Sequence, residues 1–221
     1  MSTAAQPRME KDMSESPNQV ISPSKAAARI RAAAVDAFAT SGYGGTTTRE
    51  IAARLDMSPA AMYPHYRSKE ELLFAISYEG HTAALDVVVS ADLPDEAPST
   101  RLQAMIGAFA SWQATHHAQA RVVQYELNAL TPEHYRDVVK LRRDITHIVR
   151  AVVDAGAASG EFTVPDGEGV TLALMSLCVD ICRWFPAGAY TEPEAVADLY
   201  ADLAMRMVGA GEVLPGSSGV G

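Results

Sequence analysis

Cysteine is scarce in this sequence, with only two among 221 residues. Cys178 and Cys182 lie four residues apart in an apolar stretch, so they do not form the disulfide framework that stabilises many small secreted domains. Free cysteine is among the most buried residue types. We therefore interpret the two as buried thiols, with a redox or metal-binding pair as the alternative.

Long apolar runs are also missing. No stretch approaches the length of a membrane span, and the N-terminus has no apolar signal-peptide core. We therefore expect a cytoplasmic protein without a membrane partner. Nearly half of the residues, 48%, are apolar, which is enough to build a sizeable core for one or two domains.

Catalytic motifs are absent from the sequence. It contains no Gly-rich phosphate loop, no nucleophile elbow and no His-Glu-x-x-His pair. Asp144 and His147 could supply one pair of metal ligands, but a helical two-metal site needs paired carboxylate-x-x-His segments from two helices. We expect no enzyme, no catalytic or metal-binding residues and no cofactor.

The net charge of −9 is unfavourable for binding nucleic acid, but the charge is unevenly distributed. Residues 24–69 carry seven basic and three acidic side chains, whereas residues 70–221 carry nine basic and twenty-one acidic ones. A local excess of positive charge is the electrostatic signature of phosphate contact. Nucleic-acid binding is therefore expected within residues 24–69.

The same segment contains three helix starts. Thr47 precedes Glu50 by three residues, which is a capping box. Ser58 is a suitable cap before Pro59, and Ser68 opens a third helix. Three capped starts within about two dozen residues indicate a helix-turn-helix motif with its outgoing helix, and the second helix of such a motif enters the DNA major groove.

The order and spacing of these residues resemble the DNA-binding domain of TetR-family transcriptional regulators. The resemblance covers roughly residues 24–75 and rests on Gly42-Tyr43, Thr46-Thr47, Ile51-Ala52, Ser58-Pro59-Ala60-Ala61, Met62-Tyr63, His65-Tyr66 and Ser68-Lys69-Glu70. Two positions depart from the family. Leu55-Asp56 replaces a small residue and glycine at the turn, where aspartate tolerates a left-handed conformation. Tyr66 replaces a commoner Phe, and its hydroxyl needs a partner.

The resemblance implies a palindromic double-stranded DNA operator as the partner. It also implies that Tyr63, His65 and Lys69 approach the phosphate backbone, which suits their N–H and O–H donors. Ordinary packing is the alternative for Tyr63 and His65. Pro64 predicts a distorted second helix, because it removes an amide donor. We expect DNA contact from Thr47, Thr48, Arg49, Ser58, Pro59, Ala60, Ala61, Tyr63, Pro64, His65 and Lys69.

The remaining sequence predicts an all-α protein without strands. We expect a disordered arm over residues 1–23, a three-helix helix-turn-helix domain over 24–70, a helical bundle for effector binding and dimerisation over 71–208, and a flexible tail over 209–221. Helices are predicted, approximately, over 24–41, 69–91, 99–118, 120–130, 131–158, 168–185 and 192–208.

Large apolar side chains in the bundle lie near basic ones, a combination typical of small-molecule cavities. Bodies of this family usually bind an effector, and residues 181–192 are similar to actinobacterial regulators of lipid or sterol catabolism. We expect a small apolar effector with an anionic group, with an acyl-coenzyme A as the leading candidate. The expected contacts are Met105, Phe109, Trp112, His116, Tyr125, Arg143, His147, Arg183 and Trp184.

Other interpretations remain open at this point. For each apolar residue in that set, ordinary core packing is the alternative. A drug- or other hydrophobe-sensing regulator is the alternative within the family, and a helical protein-interaction module or a metalloenzyme is the alternative in another class.

A homodimer is expected from the last two helices. The helix over 168–185 is apolar on nearly all sides and needs a second partner, and palindromic half-sites favour two-fold symmetry. The predicted contacts are Leu174, Leu177, Val196, Leu199 and Leu203.

Overall fold

The computed structural model describes residues 25–210, which form eight α-helices and, over that range, no β-strand. The predicted all-α class is confirmed. The predicted arm over 1–23 and positions 211–221 of the predicted tail lie outside the described residues. The helices are α1 (Lys25–Gly45), α2 (Thr48–Ala53), α3 (Lys69–Ala91), α4 (Pro98–Thr115), α5 (His117–Glu126), α6 (Pro132–Ser159), α7 (Gly167–Trp184) and α8 (Pro193–Met207).

Proline and side-chain caps set the helix starts. Proline begins α4, α6 and α8, where its missing N–H costs no hydrogen bond. The side chains of Thr131 and Asp166 cap α6 and α7 by accepting a backbone N–H three residues later, at 3.3 and 3.0 Å. Ser99 is a cap candidate by residue type, but it lies inside α4, because Pro98 already takes the first helical position behind Ala97.

The first helix bends at Gly42, which has a φ of +71° and a ψ of 160°. Glycine adopts a positive φ without steric cost, so the predicted end of the helix becomes a break, followed by helical turns up to Gly45. Beyond the break, Tyr43 packs against Phe38 with ring centroids 5.3 Å apart.

Two clusters of buried apolar side chains organise the molecule. The body cluster joins α3, α4, α6, α7 and α8. The other, which we call the shared cluster, joins α1, α2 and the first turns of α3. It also contains Val122, Val123, Leu127, Leu130 and Val138, which lie on α5, α6 and the segment between them. The three N-terminal helices therefore complete their core with side chains from the body.

Polar contacts reinforce this junction. The Glu126 carboxylate, at the end of α5, accepts the Tyr43 backbone N–H at 3.0 Å. Glu70, at the start of α3, accepts the Thr131 backbone N–H at 2.9 Å and lies 2.8 Å from His134 Nδ1. The segment between α5 and α6 is thus bound to both α1 and α3.

Three different environments surround α7, whose sequence predicts burial on several sides. Leu174 and Cys178 face the body cluster. Leu172 and Met175 border a cavity, and Leu172 is 66% exposed. Leu177, on a third face, is 41% exposed. The chain by itself therefore leaves much of this apolar helix uncovered.

Cys178 and Cys182 are buried and unbonded, as predicted. Burial raises the pKa of the Cys178 thiol to about 12, which keeps it protonated and unreactive at neutral pH. Residues 25–210 contain no group of three or more His, Cys, Asp or Glu side chains that could hold a metal ion.

By length and composition α3 could cross a membrane, which qualifies the expectation that no stretch approaches a span. Its most apolar window is 44% buried inside the protein. Leu72, Leu73 and Ile76 of this helix lie in the shared cluster. A core helix passes the same test of length and composition, and α3 is such a core helix.

Candidate nucleic-acid interface and body cavity

The turn after α2 has the geometry expected of a helix-turn-helix corner. The Thr47 hydroxyl accepts the Glu50 N–H at 3.2 Å, and the Glu50 carboxylate accepts the Thr47 N–H at 2.6 Å, which confirms the capping box. At the corner, Asp56 adopts a φ of +54°. Asparagine and aspartate are the non-glycine residues that tolerate this region best, so the turn is kept without the glycine of the family pattern.

The second helix of the motif is shorter than a regular helix. A single 3-10 turn covers Pro59–Ala61, and further turns lead to Tyr66. Pro64 has no N–H to donate, which accounts for the tightened backbone. Ser58 occupies the cap position without a side-chain hydrogen bond, so this part of its predicted role is wrong.

This segment has one buried and one exposed side, arranged as predicted. Met62 and Tyr66 are buried in the shared cluster. Tyr63 is 54% exposed, and the remaining predicted contacts lie at or near the surface: Ala60, Ala61 and Pro64 are exposed, while Pro59 and His65 are half-buried. The exposed side can approach a flat or grooved partner.

The Tyr66 hydroxyl finds its partner within the protein. It accepts a hydrogen bond from Arg31 at 2.7 Å, and the same guanidinium binds Glu79 on α3. The Tyr66 hydroxyl also lies 3.4 Å from the Ala27 carbonyl oxygen, which can accept its proton. This partly buried network holds the end of the motif against α1 and α3.

At the other end of the motif, Lys69 has an internal role that the sequence did not reveal. Its ammonium donates to the carbonyl oxygens of Tyr43 and Thr46 at 2.7 and 2.9 Å and lies 4.1 Å from the Tyr43 ring centroid. A phosphate contact by Lys69 stays a prediction. Arg49 is exposed and Thr48 half-buried at the start of α2.

A cavity of about 290 Å³ opens in the body between α3, α4, α5, α6 and α7. Its apolar wall includes Phe109, Trp112, Val123, Ile145 and Met175. Its size is close to the lower end of the range for small-molecule sites, and its mostly apolar lining is typical of them.

The polar side chains that line this cavity include His81 of α3 and Gln113 of α4, which are buried, and the basic Arg142 of α6. The others are Gln119, Gln124, Thr146 and Ser176. Burial and the nearby Arg142 charge lower the pKa of His81 to about 4, although its bond to the Ser77 carbonyl opposes the shift. His81 is therefore neutral at physiological pH. Burial also lowers the pKa of Arg142, which remains charged because guanidinium groups do not lose a proton in proteins.

Two of the nine predicted effector contacts, Phe109 and Trp112, line the cavity. The other seven do not line it, so the prediction that all nine surround one site is wrong. Met105 is fully buried core, Tyr125, His116, Arg143 and His147 are exposed, Arg183 pairs with Asp180, and Trp184 packs against Phe185 and Tyr190.

The cation of the cavity is Arg142 rather than the neighbouring Arg143. The helical spacing contains the signal that distinguishes them. Arg142 continues the buried stripe of Val138, Ile145 and Val149, whereas Arg143 is rotated by about 100° away from that stripe and is exposed.

The predicted dimer contacts also divide into two groups. Leu174 and Val196 are buried in the body cluster and offer no surface to a partner, so they are removed from the predicted seam. Leu177, Leu199 and Leu203 retain exposed or half-exposed apolar surface on α7 and α8.

Two family profiles match the chain. The profile described as "Bacterial regulatory proteins, tetR family" matches residues 30–76, and the one described as "Tetracyclin repressor-like, C-terminal domain" matches residues 95–208. The second match alone spans more than half of the chain. No curated protein matches it.

Solved structures point to the same family as the two profiles. A tetR-family regulatory protein from Rhodococcus is 51% identical, with 86% of this chain and 100% of that chain covered and a TM-score of 0.82. PfmR from Thermus thermophilus is 28% identical, with coverages of 84% and 100% and a TM-score of 0.74. AibR, in complex with isovaleryl coenzyme A and operator DNA, is 22% identical, with coverages of 82% and 99% and a TM-score of 0.71, a likeness of fold.

Proposed function

This chain belongs to the TetR family of transcriptional regulators, which are DNA-binding proteins rather than enzymes. On that premise we propose that it is a cytoplasmic, homodimeric repressor. A small apolar effector with an anionic group releases it from a palindromic operator. The observation that carries the proposal is the helix-turn-helix at residues 47–69. Its exposed side coincides with the basic part of an otherwise acidic chain.

The DNA contact is argued from the exposed side of the motif. Tyr63 is exposed with a hydroxyl available to donate, and Ala60 and Ala61 are small enough for close approach and for contact with thymine methyl groups. Arg49 lies exposed at the start of α2, where it can supply a hydrogen-bonding cation. Phosphate contacts of this kind fix the register of the protein on the duplex.

We expect Tyr63→Phe to weaken operator binding about tenfold, because a hydrogen bond to a charged phosphate contributes about 1.5 kcal/mol. The measurement is fluorescence anisotropy at fixed salt, with an operator selected from random duplexes. Tyr78→Phe is the matched control, since Tyr78 is also exposed but lies on α3 outside the motif. If Tyr63→Phe binds like the parent, this side of the motif is not the DNA contact.

The dimer is argued from the uncovered apolar surface of α7 and α8. Leu177 on the third face of α7 and Leu199 and Leu203 on α8 form the corrected seam. An exposed apolar patch on a soluble protein commonly marks an interaction surface. A second copy of the chain is the partner that also satisfies the two-fold symmetry of a palindromic operator.

The effector is argued from the cavity, which combines an apolar wall with the half-buried Arg142 cation. The apolar part of the ligand would enter the bundle, and its anionic group would meet the guanidinium. An acyl-coenzyme A thioester remains the leading candidate, and the AibR complex with isovaleryl coenzyme A gives that class a precedent on this fold. A drug-sensing regulator is the alternative.

Effector binding releases DNA only if it favours a conformation that holds DNA less well. A tenfold loss of operator affinity needs about 1.4 kcal/mol of coupling. We expect acyl-coenzyme A thioesters or free fatty acids to raise the melting temperature and weaken operator binding. Arg142→Met should weaken this ligand binding roughly tenfold, because the buried anion loses its partner.

Arg143→Met provides the matched control for this experiment, since Arg143 is the exposed neighbour on the same helix. It should retain the thermal shift of the parent. Stabilisation by neutral or cationic hydrophobes only would contradict the lipid proposal and support drug sensing. Equal loss in both arginine variants would contradict the role assigned to Arg142.

A further inference from the structure

We propose that the effector is a short hydroxylated aliphatic acid, whose hydroxyl group donates a hydrogen bond to Gln113 and whose acidic head is bound by Arg142. This inference rests on the proposed function and deepens it, because it names the polar group that the buried part of the ligand must carry. It distinguishes a hydroxyacyl group from the plain acyl group that an apolar cavity alone would accept.

Gln113 provides the first observation. It is only 4% exposed and lines the cavity, and its Oε1 atom is buried without a hydrogen-bond partner among the described residues. A buried acceptor left unpaired costs about 1 to 3 kcal/mol. The wall also carries donor groups, among them Trp112, Gln119 and Thr146, but none of them donates to this oxygen. A ligand hydroxyl can.

His81 offers a second acceptor on the same cavity. Its Nδ1 atom lies 2.8 Å from the Ser77 carbonyl oxygen. A carbonyl oxygen only accepts, so Nδ1 carries the proton and the neutral ring leaves Nε2 with a free lone pair. Gln113 Oε1 and His81 Nε2 are therefore both acceptors. A single ligand hydroxyl has one proton for one of them, whereas a group that can only accept, such as a ketone oxygen, would pair with neither.

Arg142 is a donor and needs an acceptor on the ligand, the opposite of what Gln113 and His81 need. Its guanidinium donates to the Gln124 side-chain oxygen. The ionisable groups that raise its pKa are Tyr135 and Cys182, and neither is a carboxylate. A partly buried cation without an acidic partner favours an anion that arrives with the ligand. Gln124 is exposed while Gln113 is buried, so the acid lies nearer the mouth and the hydroxyl deeper in the bundle.

The size of the cavity limits the ligand. A volume of about 290 Å³ corresponds to roughly ten water molecules at about 30 Å³ each. It accommodates an aliphatic chain of roughly eight carbons with one hydroxyl group, but not the nucleotide of coenzyme A. A thioester would have to leave that nucleotide outside the mouth, beside exposed Leu172 and Ser176, with its phosphates as the anionic head.

The test is isothermal titration of the full chain with octanoic acid and its monohydroxy derivatives, each as the free acid and as the coenzyme A thioester. At least one hydroxylated ligand should bind about tenfold or more tightly than its unsubstituted parent, because only it pairs the buried Gln113 oxygen. The comparison of free acid with thioester identifies which head group Arg142 receives.

Gln113→Leu should abolish the preference for the hydroxylated ligand while keeping the binding of octanoic acid. It should also raise the melting temperature of the unliganded protein, since an unpaired buried acceptor is replaced by apolar surface. Gln103→Leu, an exposed glutamine on the same helix, is the matched control and should keep the preference.

Tighter or equal binding of octanoic acid, or a preference that survives in Gln113→Leu, overturns the inference. So does a panel in which no ligand binds, as when ordered water alone satisfies the two acceptors. Operator binding is measured separately with Tyr63→Phe and its control Tyr78→Phe. If plain acyl ligands release DNA, the proposed function stands and only the requirement for a hydroxyl group is refuted.

Discussion

Leu203→Arg is expected to convert the protein from a dimer to a monomer. Operator binding should weaken roughly 100-fold, because a monomer contacts one half-site and loses about half of the specific contacts. Leu203 lies on α8 beside, but not within, the buried stripe of Val196, Tyr200 and Ala204 that packs in the body cluster. An arginine there can reach solvent in a monomer, but it would bury a charge against a partner.

Light scattering at micromolar concentration measures the mass, and anisotropy measures the operator affinity. Leu177→Arg tests the same seam from α7, where the side chain is already substantially exposed. Leu93→Arg is the control, since Leu93 is exposed in the loop between α3 and α4. A parent protein that is monomeric, or a Leu203→Arg variant that stays dimeric, would refute the seam.

Gly156→Val should destabilise the subunit by about 3 to 4 kcal/mol, at or above the upper end of ordinary overpacking. Gly156 is buried near the end of α6, directly beneath Phe162 in the following loop. A Cβ atom at position 156 would lie 2.1 Å from the Phe162 ring, a distance at which the ring or the helix must move. Urea unfolding measures the loss.

Two further variants separate the steric clash from helix propensity. Ala157→Val makes a β-branched substitution at the exposed neighbouring position and should cost only about 0.5 kcal/mol. Phe162→Ala alone should cost about 3 to 5 kcal/mol through the lost core contacts. If the clash is the cause, the double variant will be much less destabilised than the sum of the two single variants; simple additivity would contradict it.

Local chemistry in the sequence predicted most helix boundaries and the orientation of the DNA-facing segment. The capping box at Thr47 and the turn at Asp56 depend on neighbouring residues only, and both were confirmed. The internal bonds of Lys69 were not predictable in this way, because its carbonyl partners belong to residues more than twenty positions away.

The cavity was predicted less well, because five helices contribute to it and their relative rotation is a property of the packed bundle. Phe109 and Trp112 were found from composition and spacing. His81, Gln113 and Arg142 were missed, although Arg142 lies on the buried stripe of α6. A polar residue on an otherwise apolar helical stripe is therefore a better indicator of a ligand site than basic residues near an apolar segment.

The shared cluster has a consequence for how the protein melts and how it can be regulated. The first two helices and the turns after them complete their apolar core with Val122, Leu127 and Val138 from the body, and a segment of about 50 residues buries too little surface to be stable alone. Unfolding is therefore cooperative across the junction. The helix-turn-helix domain is not expected to melt separately from the body. In the proposed homodimer, the distance between the two helix-turn-helix domains would change only when whole subunits or packed helices rotate.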